Sequence, residues 1–271
     1  MSAPRIFVFG MGYTARAFAR AMDGRAASFA GTMRADFEAA NFADATHIVV
    51  SIPPGEADPV LARYRDALLA APALQWIGYL SSVAVYGNYG GAWVTERTTP
   101  HPKQARSTER LAAEKAWAKF ALDRSIPLAT FRIAGIYGPG RNAFVNLAEG
   151  KAHRIVKPGQ VFNRIHVGDI AAALVEAVDR NAAGIFNLAD DEPAPPQDVV
   201  AYAAEMMGVI PPPEAPFAGA DLSPMARSFY ADNKRVSNRR MKEELGIALR
   251  YPTYRDGLAA LWRNGNWRGE T

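Results

Sequence analysis

Four consecutive apolar residues, Ile6, Phe7, Val8 and Phe9, run straight into Gly10-Met11-Gly12-Tyr13-Thr14-Ala15. No other stretch limits the fold as sharply. An apolar run of that length reads as a strand buried on both faces. The six residues after it spell G-x-G-x-x-A, and Ala15, Phe18, Ala19 and Met22 then recur at helical spacing. Strand, glycine turn and helix arrive in the order a dinucleotide site requires. Gly10 permits the tight turn, Gly12 lets the backbone approach a pyrophosphate, and Ala15 lets the helix pack close to the strand. Tyr13 and Thr14 open a helix whose free N–H groups and positive dipole end point at the phosphates. An ordinary strand-to-helix turn is the plain alternative, and the flanking pattern argues against it.

Bulk composition narrows the class. Of 271 residues, 49% are hydrophobic and 21% charged, which is ordinary for a globular chain. That length allows one large domain or a domain with a smaller appendage. The net charge of +4 favours anionic ligands mildly and is too dispersed to imply nucleic acid. The absence of cysteine excludes disulfides, thiol nucleophiles and thiolate metal sites. His47, His101, His153 and His166 show no ligand spacing, so no metal site is expected. There is no leader-like pattern and no apolar run long enough to span a bilayer. The expectation is a soluble cytoplasmic protein that binds neither nucleic acid nor membrane.

A second strand is expected over residues 26–32. Its tip reads Gly31-Thr32-Met33-Arg34, where an NAD-preferring fold usually carries an acid bonded to the ribose hydroxyls. Thr32 and Arg34 are therefore assigned to the cofactor. A guanidinium at Arg34 can grip a 2′-phosphate and stack on adenine, which favours NADP over NAD; Asp36, two residues on, pulls the other way. A plain surface arginine is the alternative. Residues 34–47 barely leave room for a full βαβ unit. His47-Ile48-Val49-Val50-Ser51-Ile52 is the next strand, ending in Pro53-Pro54-Gly55. Carboxyl ends of parallel strands line the ligand crevice, so Ser51, Ile52 and Pro53 should border the cofactor.

A helix opening at Asp58-Pro59, a strand over 74–80 and a helix over 104–122 follow, with a strand at 128–133 running into Gly135-Ile136-Tyr137-Gly138-Pro139-Gly140. The alternation predicts an α/β fold with a Rossmann-type doubly wound parallel sheet. Beyond residue 140 the rhythm changes: a short helix, a small hairpin over 153–166 around Pro158-Gly159, a helix to 179, a strand over 184–188, a helix over 197–207, an irregular proline-rich stretch over 211–224 and two closing helices. A structureless stretch of that kind reads as a binding loop or lid. Residues 1–140 are read as an NAD(P)-binding domain and 141–271 as a smaller C-terminal substrate-side subdomain, with elements near 165–190 returning to the main sheet.

Several motifs come in a telling order: the glycine turn, Ser81-Ser82-Val83-Ala84-Val85-Tyr86-Gly87, Arg132-Ile133 with Gly135-Ile136-Tyr137-Gly138-Pro139-Gly140, Ile165-His166-Val167-Gly168-Asp169-Ile170, and Phe186-Asn187-Leu188. Together they resemble the extended short-chain dehydrogenase/reductase superfamily, in its NAD-dependent epimerase/dehydratase branch. The resemblance covers nearly the whole chain. The G-x-G-x-x-A opening, instead of the branch's G-x-x-G-x-x-G, resembles an atypical subgroup.

The resemblance implies a catalytic Ser, Tyr and Lys, the last two spaced Y-x-x-x-K on a helix. Ser82 matches the serine, and Ser81 beside it borders the cofactor. The Tyr and Lys positions fall on Arg106 and Arg110. An arginine side chain keeps its proton at any working pH and cannot exchange it with substrate. The i, i+4 spacing still puts both guanidinium groups on one helix face, suited to an anionic group or the cofactor ribose; two solvated arginines are the alternative. Tyr86 is the first replacement acid/base to consider, with Tyr137 and His101 behind it. Tyr137, Arg141, Asn142 and Arg235 are assigned to substrate, Arg235 from a basic stretch that also holds Arg227, Lys234, Arg239, Arg240 and Lys242. His166 and Asp169 are read as structural. The expected activity is an NAD(P)-dependent epimerase, dehydratase or reductase acting on a sugar or nucleotide-sugar type substrate; the alternative is a catalytically inactive NAD(P)-binding sensor. The resemblance also implies a possible homodimer.

Overall fold

The computed structural model describes residues 3–269. Its first half runs β1 (Arg5–Phe9), α1 (Tyr13–Ala21), β2 (Ser28–Thr32), β3 (His47–Val50), α2 (Pro59–Ala70), β4 (Trp76–Ser82), β5 (Trp93–Val94), α3 (Ala105–Arg124) and β6 (Leu128–Ile133). Its second half runs β7 (Gly135–Tyr137), α4 (Ala143–Ala148), β8 (Arg154–Val156), β9 (Arg164–His166), α5 (Val167–Asp179), β10 (Gly184–Leu188), α6 (Pro196–Met207), β11 (Glu214–Pro216), α7 (Pro224–Phe229), β12 (Arg235–Val236), α8 (Arg239–Glu244) and α9 (Tyr254–Arg263).

Six strands form one parallel sheet in the order β10-β6-β4-β3-β1-β2. Period-two alternation sorts its side chains. Ile6 and Val8 of β1 join a core with Ala15 and Phe18 of α1 and Ile170 and Leu174 of α5. Phe7 and Phe9 join the opposite core with Val60, Leu61, Tyr64 and Leu68 of α2 and Trp117 and Phe120 of α3. Helices therefore cover both faces, as parallel sheets require. β2 is an edge strand with alternately exposed residues, because residues 33–46 supply only one 3₁₀ turn, Phe37–Ala39, in place of a further βα unit. The chain leaves β1 for β2 on one side and returns to β3 on the other. That reversal opens a crevice beyond the carboxyl ends of β1 and β3.

The smaller half builds its own core from Phe144 of α4, Val199 and Ala203 of α6, and Tyr254, Leu258 and Leu261 of α9, with Tyr137. The hairpin expected over 153–166 is not formed. Pro158-Gly159 does make a turn, closed by the Gln160 amide on the Lys157 carbonyl at 3.1 Å. The flanking strands take distant partners instead: β8 pairs with β11 and β9 with β7, both in parallel.

Asp58 joins two helices of one face. Its Oδ1 accepts from the amides of Val60 and Leu61 at 3.0 Å each, capping α2, and its Oδ2 accepts from Trp117 Nε1 of α3 at 3.0 Å. Asp58→Ala removes the cap and strands a buried indole N–H. Equilibrium urea unfolding followed by tryptophan fluorescence should show a loss of about 2–4 kcal/mol, and Asp58→Asn a smaller one.

Candidate functional site

Gly10 takes φ +98, and a Cβ there would come 2.9 Å from Ile52 Cγ1, so both turn geometry and close approach demand glycine. Gly12 is different. Its φ is −83, and a Cβ on it meets nothing within 4 Å. The backbone does not need glycine there; the space beside it is open. Gly12 is also the N-cap of α1, with no side-chain cap and no acid in the first turn. The amides of Tyr13 and Thr14 find no acceptor among the described residues. Free amides at a helix start beside open space make an anion cradle, and the donor set fits a diphosphate.

That cradle forms one end of a cleft of about 1090 Å³. Gly12, Tyr13, Thr14 and Ser51 line this end, Ser81, Ser82, Arg106 and Arg110 the middle, and residues of α4, β9, α6 and α9 the far arm. Ala15 is buried under the turn, Pro53 is exposed beyond it, and Ile52 packs against Gly10. None of the three lines the cleft. Thr32 is buried too, and its Oγ1 has no partner. Arg34 is exposed at the end of β2, and no described residue pairs with it. Asp36 is occupied in its own turn, accepting from the Met33 amide at 2.5 Å.

Ser81 and Ser82 point opposite ways, as neighbours on a strand must. Ser81 Oγ turns inward and donates to Glu114 Oε1 at 2.5 Å. Ser82 stays half-buried in the cleft and caps the 3₁₀ turn Val83–Tyr86, its Oγ accepting from the Ala84 amide at 3.2 Å. Its hydroxyl hydrogen is left for a ligand. Arg110 Nη1 donates to the Leu80 carbonyl at 2.9 Å. Arg106 Nη2 reaches across to Ser228 Oγ at 3.1 Å, with its guanidinium 4.7 Å from the centre of the Phe229 ring. The arginine at the expected tyrosine position thus bridges α3 and α7 over the cleft.

Five catalytic or substrate assignments need correction. Tyr86 is fully buried, donates to Asn187 Oδ1 at 2.7 Å and lies under the Arg132 guanidinium; burial pushes its hydroxyl up, and it does not line the cleft. Tyr137 lines the cleft, but its hydroxyl is engaged elsewhere. Its hydroxyl donates to the Thr253 carbonyl at 3.3 Å, and burial pushes it up. The Asn142 amide is consumed structurally: Nδ2 donates to the Gly138 and Trp267 carbonyls at 2.8 and 2.7 Å, and Oδ1 caps α4. Arg235 faces away, donating to the Gly91 carbonyl. The Arg141 guanidinium has no hydrogen-bond or ion-pair partner among the described residues, but it lies near Tyr13, whose hydroxyl it influences; Tyr13 in turn donates to the Pro139 carbonyl at 2.9 Å. Arg141 therefore serves the cradle end, not the far arm.

Arg164 and Lys234 are among the cleft residues that fell outside the sequence assignments to the site. Arg164 opens β9, immediately before the Ile165-His166 motif, and donates to the Phe162 and Ala194 carbonyls at 3.0 and 3.2 Å. Lys234 was visible only as part of a basic run. Among the described residues, no group of three His, Asp or Glu side chains is placed to hold a metal ion, and no helix is long and apolar enough to cross a membrane.

Sheet order, glycine cradle and strand-end serine together define the fold of the extended short-chain dehydrogenase/reductase proteins. The human epimerase family protein SDR39U1, solved with NADPH, shares it with a TM-score of 0.74 at 17% identity, over 96% of this chain and 99% of that one. A conserved protein of unknown function from Silicibacter pomeroyi DSS matches with a TM-score of 0.89 at 46% identity, over 97% of this chain and 99% of that one. The chain belongs to the family of that Silicibacter protein. A 3-diazoavenalumate denitrifying reductase from a Streptomyces species is 29% identical over 47% of this chain, a match that spans 44% of that reductase. No family model matches the chain.

Behind Arg164, Asp190 is buried with Oδ2 unpartnered, and burial pushes its carboxyl up to about 8. His166 nearby is pushed down to about 4 by burial. The two act oppositely. Asp190 stabilises fully below its ordinary value near 3.8, and that contribution is lost as pH climbs to about 8. His166 contributes above its ordinary 6.5 and loses this as pH falls to about 4. Of the pair, only Asp190 acts between 6.5 and 8. Denaturant titrations should show wild type losing stability relative to Asp190→Asn across that interval, with a slope approaching about 1.4 kcal/mol per pH unit. Parallel curves would refute the assignment.

Proposed function

We propose that the chain is an NAD(P)H-dependent oxidoreductase, working as a reductase on an anionic sugar or nucleotide-sugar type carbonyl compound, with NADPH preferred. One observation carries this reading: a single cleft holds the open α1 cradle at one end and the free Ser82 hydroxyl in its middle. A bound nicotinamide cofactor supplies or takes up a hydride; the side chains decide what else is feasible. The Tyr13 and Thr14 amides and Arg141 would hold the diphosphate, and Arg34 the 2′-phosphate. Ser82 would donate to the substrate oxygen.

Direction follows from charge. Oxidising an alcohol requires a base to take the hydroxyl proton, and arginines at 106 and 110 supply none. Reducing a carbonyl builds negative charge on oxygen, which fixed cations and a hydroxyl donor stabilise. The naming of the Streptomyces relative as a reductase supports the same direction. The anionic substrate is supported by Arg106, Arg110, Arg164 and Lys234 in the lining. The sensor alternative draws on one feature: Arg106 is already engaged with α7. Sustained NADPH oxidation at 340 nm with a panel of aldehydes, sugars and nucleotide sugars, with product analysis, would exclude the sensor.

Two variants test the cradle. Gly12→Val should fold with a cost of about 1 kcal/mol or less and lose NADPH binding, because it fills the open space. Wild type should gain roughly 2.7 kcal/mol from NADPH at a hundred times its dissociation constant; a Gly12→Val protein that keeps this gain would defeat the cradle. Arg34→Ala should weaken NADPH roughly tenfold or more, the loss of a charge-assisted contact, and leave NADH unchanged in calorimetry.

A further inference from the structure

The proposed reduction still lacks a proton source. Hydride transfer to a carbonyl carbon leaves the former π pair on oxygen, and that oxygen must gain a proton. Ser82 can hydrogen-bond the oxygen without being acidic enough to neutralise it. The arginines hold their protons. Tyr13, Tyr137 and Tyr254 of the lining all have hydroxyls pushed up by burial.

Lys234 differs from all of these. It is only 6% exposed, yet it lines the cleft. Its flanking residues are fasteners: Asn233 Nδ2 donates to the Gly159 carbonyl and its Oδ1 accepts from the Val161 amide, while Arg235 donates to the Gly91 carbonyl. Lys234 reaches elsewhere. Its Nζ donates to the Gly87 carbonyl at 2.8 Å, and Gly87 closes the one turn of backbone that Ser82 begins. Among the described residues the only carboxylate against it is Asp232, whose Oδ2 lies 3.7 Å from Nζ. An ammonium has three N–H groups. Gly87 takes one, Asp232 faces a second at long range, and the third has no acceptor among the described residues. Burial holds this amine below the usual lysine range, and the Asp232 charge only partly restores it.

We propose that Lys234 is a catalytic residue, the proton donor to the substrate oxygen that Ser82 holds. This rests on the reductase reading. The balance closes with the cofactor's hydride. The carbonyl carbon gains a C–H bond, the π pair becomes an oxygen lone pair, an Nζ–H bond breaks and an O–H bond forms. The neutral amine then recovers a proton from water in the cleft, with Asp232 beside it to stabilise the returning charge. A lysine that merely clips residues 232–236 to the Gly87 turn would need no neutral state.

Lysine side-chain ¹⁵N NMR of the full chain tests this, with and without NADPH, using Lys234→Met to assign the resonance. The Lys234 signal should titrate with a midpoint below the usual lysine range, as burial of the amine requires; a midpoint within or above that range overturns the proposal. Lys234→Arg keeps charge and can keep the Gly87 bond. It should retain wild-type melting and NADPH affinity, yet oxidise NADPH roughly 10²-fold more slowly or worse and lose the alkaline limb of the pH–rate profile. Unchanged turnover with an unchanged limb in Lys234→Arg overturns the proposal even if the midpoint is low. Should NADPH bind and no carbonyl compound of the panel turn over, the proposal falls together with the reductase reading. Absence of NADPH binding to wild type would instead defeat the cofactor reading and leave the titration of Lys234 to be read independently.

Discussion

The ion pair between Arg132 and Glu114 holds the site in shape. Both side chains are almost wholly buried, with Arg132 Nη2 2.7 Å from Glu114 Oε2 and Nε 3.1 Å from Oε1. Removing two charges from water is expensive, and a buried pair survives only when its remaining lone pairs and protons are satisfied. Here Glu114 also accepts from Ser81, and the Arg132 guanidinium sits 4.8 Å above the Tyr86 ring centre, although its Nη1 has no hydrogen-bond partner among the described residues. Tyr86 passes the chain of contacts to Asn187 of β10, whose amide N–H donates to Glu96. One polar network therefore ties β4, β6 and β10 to α3. Breaking one member would leave an uncompensated charge, so the network fixes the position of α3 as well as adding to stability.

That fixed position explains what faces the cleft. Arg106 and Arg110 lie eight and four residues before Glu114, on one helical face. With Glu114 pinned behind the strand ends, Arg110 meets the Leu80 carbonyl and Arg106 overhangs the opening. Ser81 and Tyr86 are spent in the network, and Ser82 is the hydroxyl of its strand end left over. The remaining lining is unbalanced in charge. Lys151 and Glu149 pair with each other at 2.8 Å, whereas Arg106, Arg110, Arg141 and Arg164 form no ion pair with a described carboxylate within 4 Å. The lining therefore carries an excess of fixed positive charge.

Features governed by neighbours in sequence were legible. The β1 run, the glycine turn, the α1 periodicity and the alternation that builds the sheet are local, and the structure follows them to within a few residues. Features set by distant partners were not. Nothing near residues 153–166 says that β8 will pair with β11 some sixty residues on, or β9 with β7. The same limit misplaced side chains. Tyr86 is sealed in by Asn187 of β10 and Arg132 of β6, whereas Lys234 reaches the cleft from just before β12, which pairs with β5. Tyr137 and Asn142 lie where the sequence put them, but their polar atoms are consumed by carbonyls of residues 253 and 267. The late basic stretch breaks up. Arg239, Arg240 and Lys242 pair with Glu243, Glu244 and Asp191 on the outside, leaving Lys234 alone inside.

Arginine in place of tyrosine at residue 106 changes what that position can do. A tyrosine there could exchange a proton; an arginine can carry a long-reaching fixed charge. In this structure the charge is spent on Ser228 and Phe229, one neutral acceptor and one partly exposed ring. Contacts of those kinds contribute about 0.5–1.5 kcal/mol for the hydrogen bond and 0.5–1 kcal/mol for the cation–π pair. A hydrogen bond to an anionic ligand group contributes about 1.5–3 kcal/mol. The two sets are comparable, so an anion entering beneath α7 competes with the contacts that hold α7 down. The small core under that segment, Ile155, Ala220 and Tyr230 with Phe162 and Phe217, does not depend on Arg106. The segment can therefore keep its fold while its link to α3 is exchanged for a link through the ligand. An arginine at residue 106 thus offers α3 no proton to exchange and places a fixed charge there.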